Sequence, residues 1–267
     1  MQSGLYIVGT PIGNLSDMSP RAVETLKNVD LIAAEDTRVF GKLAAHFDIK
    51  TPRVSCHEHN ERDVVPGIID KIAGGQSVAV VTDAGMPGVS DPGFRIVRAA
   101  RAAGVPVFAV PGPTAAVTAL VLSGFPTDRF TFCGFFDEKK LSADNRIRHT
   151  IIYYESPNRI MATIAAMARV MPERQIAIVR EITKMYEQVI VGYPAELMNM
   201  EPPRGEIVIV VAPAPEMKIS DAEITAIVND VVGASSTKSA AAEIAARAGI
   251  SKKEAYKRLL NKGDAND

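Results

Sequence analysis

Only two cysteines occur in the sequence, Cys56 and Cys133, far apart and in no Cys-x-x-Cys pair. Neither a disulfide framework nor a zinc ribbon is indicated, and a reducing cytoplasm is the expected setting. No apolar run reaches membrane-spanning length, and Leu5-Tyr6-Ile7-Val8 is preceded by no charged leader or cleavage site, so secretion and membrane insertion are not expected. Charge of one sign is scarce: the net is −1, and any nucleic-acid contact must come from local patches rather than from the field of the whole molecule. Neither Gly-x-Gly-x-x-Gly nor Gly-x-x-x-x-Gly-Lys-Ser/Thr is found, which removes the main support for dinucleotide and P-loop readings. What is present is a globular composition, 47% hydrophobic and 23% charged, which excludes a disordered or fibrous chain. The 267 residues suffice for two modest domains, or one domain and an appendage, each with its own core.

Short β-rich runs bounded by Gly, Pro or Asp alternate with helical patterns, which predicts an α/β fold with parallel sheet. Strands are expected near Leu5–Gly9, Leu31–Ala34, Arg53–Cys56, Val78–Thr82 and Val107–Val110, with helices at Arg21–Val29 and Phe94–Ala103 between them. A second set is expected near Phe130–Gly134, Ile151–Tyr154, Ile176–Arg180, Gln188–Val191 and Glu206–Val211, its later members close enough for an antiparallel or mixed sheet. Pro111-Gly112-Pro113 crowds a turn before a helix at Thr114–Leu122 and marks the boundary, giving domains 1–112 and 113–213. Beyond Ala-Pro-Ala-Pro, a stiff linker, the pattern is only helical. Within this third unit, 219–262, Lys238–Arg247, the turn Ala248-Gly249-Ile250 and Ser251–Asn261 have helix-turn-helix spacing with Ser251 as N-cap. Its last helix carries Lys252, Lys253, Lys257, Arg258 and Lys262 against Glu254, suited to phosphate contact or to a solvated face.

Three loops carry the chemistry. Gly9-Thr10-Pro11-Ile12-Gly13-Asn14 follows the first strand, where an open α/β sheet places its ligand and where glycine lets backbone approach it. Thr82 to Gly93, Thr-Asp-Ala-Gly-Met-Pro-Gly-Val-Ser-Asp-Pro-Gly, also begins at a strand end and specifies an unusual backbone path. Its second flanking glycine comes one residue too late for the Gly-x-Ser-x-Gly of a hydrolase elbow, and Pro92 disfavours that turn. Pro111-Gly112-Pro113-Thr114-Ala115-Ala116 opens a helix whose free N–H groups suit a ligand. Convergence of three such loops on one sheet edge is harder to explain as folding punctuation than any one of them.

Ala34-Glu35-Asp36-Thr37-Arg38 and His57-Glu58-His59-Asn60-Glu61 gather acidic and imidazole groups suited to orienting or deprotonating a hydroxyl. Capping and surface ion pairing are the plainer explanation, and a metal site at Cys56, His57 and His59 lacks remote ligands. In the second half Tyr154-Glu155-Ser156-Pro157-Asn158-Arg159 places a strand end against a helix start, with Pro157 at the first helical position, and Arg204-Gly205-Glu206 precedes the last strand. Arg38, Lys139, Lys140, Arg146, Arg148 and Arg159 are candidates for gripping phosphate.

These motifs, in this order from Leu5 to about Ala212, resemble the ribosomal RNA small subunit methyltransferase I family of the tetrapyrrole methylases. The resemblance implies two αβα domains of the class III methyltransferase type with a small helical C-terminal domain, S-adenosylmethionine between the domains, a homodimer, no metal, and methylation of a cytidine 2′-hydroxyl in the decoding region of 16S rRNA. Carried over by motif, the cofactor would be held by Thr10, Pro11 and Gly13, by Asp83, Ala84 and Gly85, by Val89, Ser90 and Asp91, by Thr114 and Ala116, and by Glu155, Ser156 and Gly205. Asp36, Arg38, His57 and Glu58 would form the catalytic set. Asn60, Lys139, Lys140, Arg159, Lys252, Lys253, Lys257 and Arg258 would face the RNA. Two departures stand out: the segment from Phe136 to Thr150 is shorter than the family's loop and basic helix, and Arg204 replaces the usual lysine. Arginine does not give up its proton, so Arg204 is no base.

Methyl transfer from a sulfonium is an in-line displacement that is accelerated mainly by positioning, with Glu58, His57 or Asp36 available to take the ribose proton. The rivals are a precorrin-carbon methyltransferase of the same fold and a DNA-binding regulator that senses a ligand through the α/β part.

Overall fold

The computed structural model describes residues 1–215, 221–231 and 237–263. The chain divides into two compact units, Met1–Ala214 and Pro215–Asp267. Residues 219, 220 and 232–236 of the expected helical segment lie outside the described residues, as does the side chain of Lys262.

The first unit opens with β1 (Gly4–Val8), α1 (Pro20–Asn28), β2 (Leu31–Ala34), α2 (Thr37–His46), β3 (Arg53–Ser55), α3 (Glu61–Ala73), β4 (Ser77–Val81), α4 (Phe94–Ala102) and β5 (Val107–Val110). The strands form a parallel sheet in the order β3-β2-β4-β1-β5. Its central strands β1 and β4 are buried along their whole length, as their unbroken apolar runs require of a sheet covered on both faces. Tyr6, Val8, Ala79 and Val81 pack with Leu26 and Phe40 on one face, and Leu5, Ile7, Val78 and Val80 with Ile68 and Ile96 on the other. Because Leu5 pairs with both Val78 and Val107, β4, β1 and the edge strand β5 end level and their following loops leave from one rim.

The chain continues through α5 (Ala115–Ser123), β6 (Phe130–Phe135), α6 (Glu138–Asp144), β7 (Thr150–Glu155), α7 (Ile160–Val170), β8 (Ile176–Arg180), β9 (Gln188–Gly192), α8 (Pro194–Leu197) and β10 (Ile207–Val211). This second sheet is mixed, in the order β6-β7-β10-β8-β9, with only β6 and β7 parallel. Helix α5, capped by the Thr114 hydroxyl and ended by Gly124 at φ +71°, lays Ala116, Ala119 and Leu120 on Ile152, Val179 and Val208. Helix α7 covers the opposite face with Ile160, Ile164 and Met167 against Tyr153, Ile178 and Ile209. Buried Arg174 donates to the carbonyls of Ile147, His149 and Ala212 and ties the far edges of β7 and β10 together. One expected boundary fails: Pro157 does not begin α7, because residues 157–159 close a turn in which Arg159 N–H donates to the Ser156 carbonyl.

The second unit contains α9 (Asp221–Val231), α10 (Thr237–Ala248) and α11 (Lys252–Gly263). Gly249, at φ +63°, makes the turn between the last two, and the Ser251 hydroxyl accepts from Glu254 N–H as the expected N-cap. Ile224, Val228, Ile244 and Ala255 form its core.

Candidate active site

The loops after β1, β4 and β5 are fastened to one another by backbone. Thr10 and Gly85 exchange N–H···O bonds of 2.9 and 3.1 Å, and the buried Thr10 hydroxyl donates to the Thr82 carbonyl at 3.1 Å. Gly112 N–H meets the Met86 sulfur at 3.3 Å. Within the longest loop Gly88 N–H donates to the Pro92 carbonyl at 2.9 Å, and a Cβ on Gly93 would lie 2.8 Å from the Gly88 nitrogen. Ser90 takes a left-handed φ of +61°, a conformation that costs about 1–3 kcal/mol in a non-glycine residue and presents its neighbours to the rim.

These loops wall a cavity of about 350 Å³, within the range of small-molecule sites. Ile12, Met86, Val89, Ser90, Asp91 and Thr114 line it on the side of the first sheet. The second sheet closes it with Phe135, Tyr154, Ile182, Ile207 and Val208, while Glu155, Ser156 and Pro157 form part of its rim. The lining is therefore mostly apolar, with a few polar groups converging from the Ser90–Asp91 corner and from Thr114.

Electrostatics single out Asp91. Burial, and then the nearby carboxylates of Glu35 and Asp83, push its carboxyl up to about 6. Glu35 is raised by burial and by the charges of Asp83 and Asp36, although its Oε2 accepts from Asp83 N–H at 3.2 Å. Asp83 is likewise raised by burial, and its Oδ1 accepts from Asp36 N–H at 3.2 Å. A chain of acidic groups thus runs from the end of β2 to the cavity wall. Among the described residues no group of three His, Cys, Asp or Glu side chains is placed to hold a metal ion. Cys56 is buried, with its thiol pushed up to about 11.

Of the residues expected to hold a cofactor, Ala84, Gly85, Val89, Ser90, Asp91, Thr114, Glu155 and Ser156 line the cavity. Thr10 is the fastener just described, and Pro11 lies beside it. Ala116 is buried on α5, where it packs against the second sheet. Gly13 and Gly205 are glycine for different reasons: a side chain at Gly13 would run into Lys184 and Thr183, and Gly205 takes a φ of +89°. Asp83 faces Asp36 rather than the cavity. Most of the acceptor capacity of Glu155 is used, since its buried carboxylate takes Ser156 N–H, the Thr163 hydroxyl and, at 2.7 Å, the Arg159 guanidinium.

Two residues of the expected catalytic set already have partners in the structure. Arg38 donates twice to Asp36, at 2.8 and 3.2 Å, and holds its carboxyl far below the usual range, which makes Asp36 a poor proton acceptor and occupies Arg38. The His57 Nδ1 accepts from Asn60 N–H at 3.2 Å. Glu58 is exposed. Four of the expected RNA contacts have partners in the structure, among them Lys140, which lies 3.7 Å from the Asp137 carboxylate. The Asn60 side chain closes its own loop, accepting from His57 N–H and donating to the Ser55 carbonyl. Arg159 pairs with Glu155, and Arg258 pairs with both Asp221 and Glu254. Lys139 and Lys140 are exposed on α6, and Lys252, Lys253 and Lys257 on α11. Sequence reasoning quoted Glu35, Met86 and Tyr154 within its motifs without giving them a place in the site, and it missed Ile182, which lies two residues beyond the end of β8.

Residues 4–197 match the family of tetrapyrrole (corrin/porphyrin) methylases. The ribosomal RNA small subunit methyltransferase I of Xylella fastidiosa is 44% identical over 256 residues, covering 90% of this chain and 94% of that protein. The protein of the same name from Synechocystis sp. is 44% identical over 230 residues, 82% of each chain. Among solved structures, a uroporphyrin-III C-methyltransferase from Thermus thermophilus, complexed with S-adenyl homocysteine, superposes with a TM-score of 0.54 at 20% identity over 78% of this chain and 97% of that one, a likeness of fold. The chain belongs to the tetrapyrrole methylase family and, within it, to the family of the ribosomal RNA small subunit methyltransferase I proteins.

Proposed function

We propose that the protein methylates the 2′-hydroxyl of a cytidine ribose in the decoding region of 16S rRNA within the small ribosomal subunit, acting in the cytoplasm as a homodimer and using S-adenosylmethionine. The observation that carries this reading is the cavity at the rim of β1, β4 and β5, in a chain whose relatives with that name align over nearly its whole length. Its lining fits the cofactor: Ile12, Met86, Ile182 and Val208 suit an uncharged ring and methylene chain, and the acidic corner at Asp91 suits the sulfonium cation. Ala84, Gly85, Val89, Ser90, Asp91, Thr114 and Ser156 would hold it, with Thr10, Gly13, Asp83, Ala116 and Gly205 shaping the loops that do so. When bound, S-adenosylmethionine supplies an electrophilic methyl group on positively charged sulfur.

The chain's own residues then have three tasks. The fastened loops keep the pocket geometry fixed, so that an acceptor oxygen is held in line rather than searched for. The apolar wall of Phe135, Tyr154 and Ile207 excludes water from the cavity. Asp91, which lines the cavity and whose carboxyl burial pushes up to about 6, takes the hydroxyl proton. An exposed apolar stripe, Val117 and Val121 on α5 beside Val189 and Val191 on the edge strand β9, supports the homodimer.

The test is incubation of the purified protein with methyl-labelled cofactor and small subunits lacking the modification, against free 16S rRNA and a tetrapyrrole precursor. Label on one cytidine ribose of the subunit is expected. Label on the tetrapyrrole alone, or no uptake of S-adenosylhomocysteine in calorimetry, overturns the proposal.

A further inference from the structure

The second sheet carries a groove of about 640 Å³ that the cofactor reading does not use. Arg180, Gln188 and Ile190 line it from β8 and β9, Pro157 and Asn158 from the turn before α7, and residues 200–204 from the loop before β10. Strand alternation fixes its side. Arg180 follows Ile176 and Ile178, which face α7, whereas Val179 and Val208 face α5 and the cavity. Groove and cavity therefore occupy opposite faces of one sheet and meet over its rim. Two short stretches cross that rim: 155–158, whose Pro157 lines both, and 204–206, with Arg204 in the groove and Glu206 at the cavity.

The groove's charges are held ready. Arg180 donates through Nε to the Arg204 carbonyl at 2.9 Å and through Nη1 to the Gln188 Oε1 at 3.2 Å, so its guanidinium is fixed while Nη2 has no partner among the described residues. Neither Arg180 nor Arg204 forms an ion pair among those residues, in contrast to Arg38, Arg159, Arg169 and Arg258. Ile190, Met200 and Pro202 give the groove apolar surface, and Asn158, Gln188 and Glu201 contribute to a lining that is mostly polar. Two guanidiniums without carboxylate partners, one pre-oriented, beside apolar surface that can take a flat group describe a receptor for a phosphate joined to a base.

We propose that this groove binds the RNA strand next to the acceptor nucleotide, with Arg180 and Arg204 on the phosphodiester that links the two as the strand crosses the rim at Pro157. This rests on the reading of the chain as an RNA methyltransferase, and it assigns to the shared rim the recognition that the engaged Asn60, Arg159 and Arg258 do not supply.

The test uses the full chain and direct binding of a 16S rRNA fragment over a range of KCl concentrations, beside calorimetry with S-adenosylhomocysteine and thermal melting. Arg204→Gln is the primary variant, because its side chain makes no hydrogen bond or ion pair with a described residue and is exposed. Arg180→Gln is the second, and Arg180→Lys tests the value of a fixed fork. Each Gln variant is expected to weaken RNA binding about tenfold and to flatten the slope of log affinity against log salt by about 0.7–0.9, as the loss of one phosphate contact does. Cofactor affinity and melting of Arg204→Gln should match wild type. Unchanged RNA affinity and salt slope in Arg204→Gln and Arg180→Gln overturn the groove assignment, as does a wild-type chain that binds no RNA. A wild type that binds RNA through these arginines yet transfers no methyl group to it leaves the groove standing and removes the proposed reaction instead.

Discussion

Gly9 and Gly112 touch backbone to backbone: a Cβ on Gly9 would lie 2.6 Å from the Gly112 nitrogen, and one on Gly112 would lie 2.9 Å from the Gly9 Cα. The contact locks the loop after β1 to the loop after β5, and neither glycine is required for its φ. Substitution therefore tests the approach itself. Gly9→Ala and Gly112→Ala should each cost about 1–3 kcal/mol through overpacking and weaken S-adenosylhomocysteine binding at least tenfold. Because the first methyl pushes apart the strands that the second would strain, the double variant should lose less than the sum of the two. Additive losses in denaturant titrations would show that the two loops are not mechanically joined.

Asp91 gives a prediction in which stability and activity move in opposite directions. Its carboxyl titrates near 6 in the folded chain, above the unfolded value of about 3.9. Between those values the native state binds more protons than the unfolded one, so this group lowers stability as pH rises from 4 to 6 and the loss is complete above 6. Asp91→Asn should accordingly be more stable than wild type at pH 7, by about 1–2 kcal/mol after solvent screening, and no more stable at pH 4. The same variant should lower kcat about a hundredfold and abolish the fall of kcat/KM below pH 6. A variant that retains the acidic limb would move the proton acceptor elsewhere.

Strands were legible because their cause is local. Unbroken apolar runs such as Val78–Val81 and Ile207–Val211 have few alternatives to a sheet covered on both sides, and the structure places them within a residue of expectation. The three converging loops were legible for the same reason, since Gly and Pro density follows each strand end. What the sequence could not disclose depends on distant partners. Ile182 and Tyr154 reach the cavity only because β7 and β8 flank β10 with their α5-facing residues turned towards it. Asp36 has the composition of a base and loses that role to Arg38, two residues away, through rotamers no spacing rule fixes. Gly13 and Gly205 carry the family-like motif, yet what demands glycine is the close approach of the segment 182–184 at Gly13 and a φ of +89° at Gly205. Pro157 suits a helix start and a turn equally well, and the Ser156 carbonyl, accepting from Arg159, decides for the turn.

The basic helix α11 separates into two kinds of residue, and the separation can be measured. Arg258 bridges Glu254 on its own helix and Asp221 on α9, at 2.9 and 2.7 Å, so it joins the first and last helices of the C-terminal unit. Lys252, Lys253 and Lys257 are exposed. If α11 meets RNA, the three lysines supply the phosphate contacts and Arg258 supplies only the shape that presents them. Replacing all three lysines with glutamine should then flatten the salt dependence of RNA binding by about 2 and weaken affinity tenfold or more at physiological salt, with amide exchange in α9 and α11 unchanged. Arg258→Gln should do the reverse, speeding exchange at the facing ends of α9 and α11 a few-fold, as expected for loss of a partly exposed ion pair, while leaving the salt slope intact. A salt slope that drops with Arg258→Gln and not with the lysine variant would mean that its ion pairs open on binding, and that the helix is arranged to release an arginine rather than to display lysines.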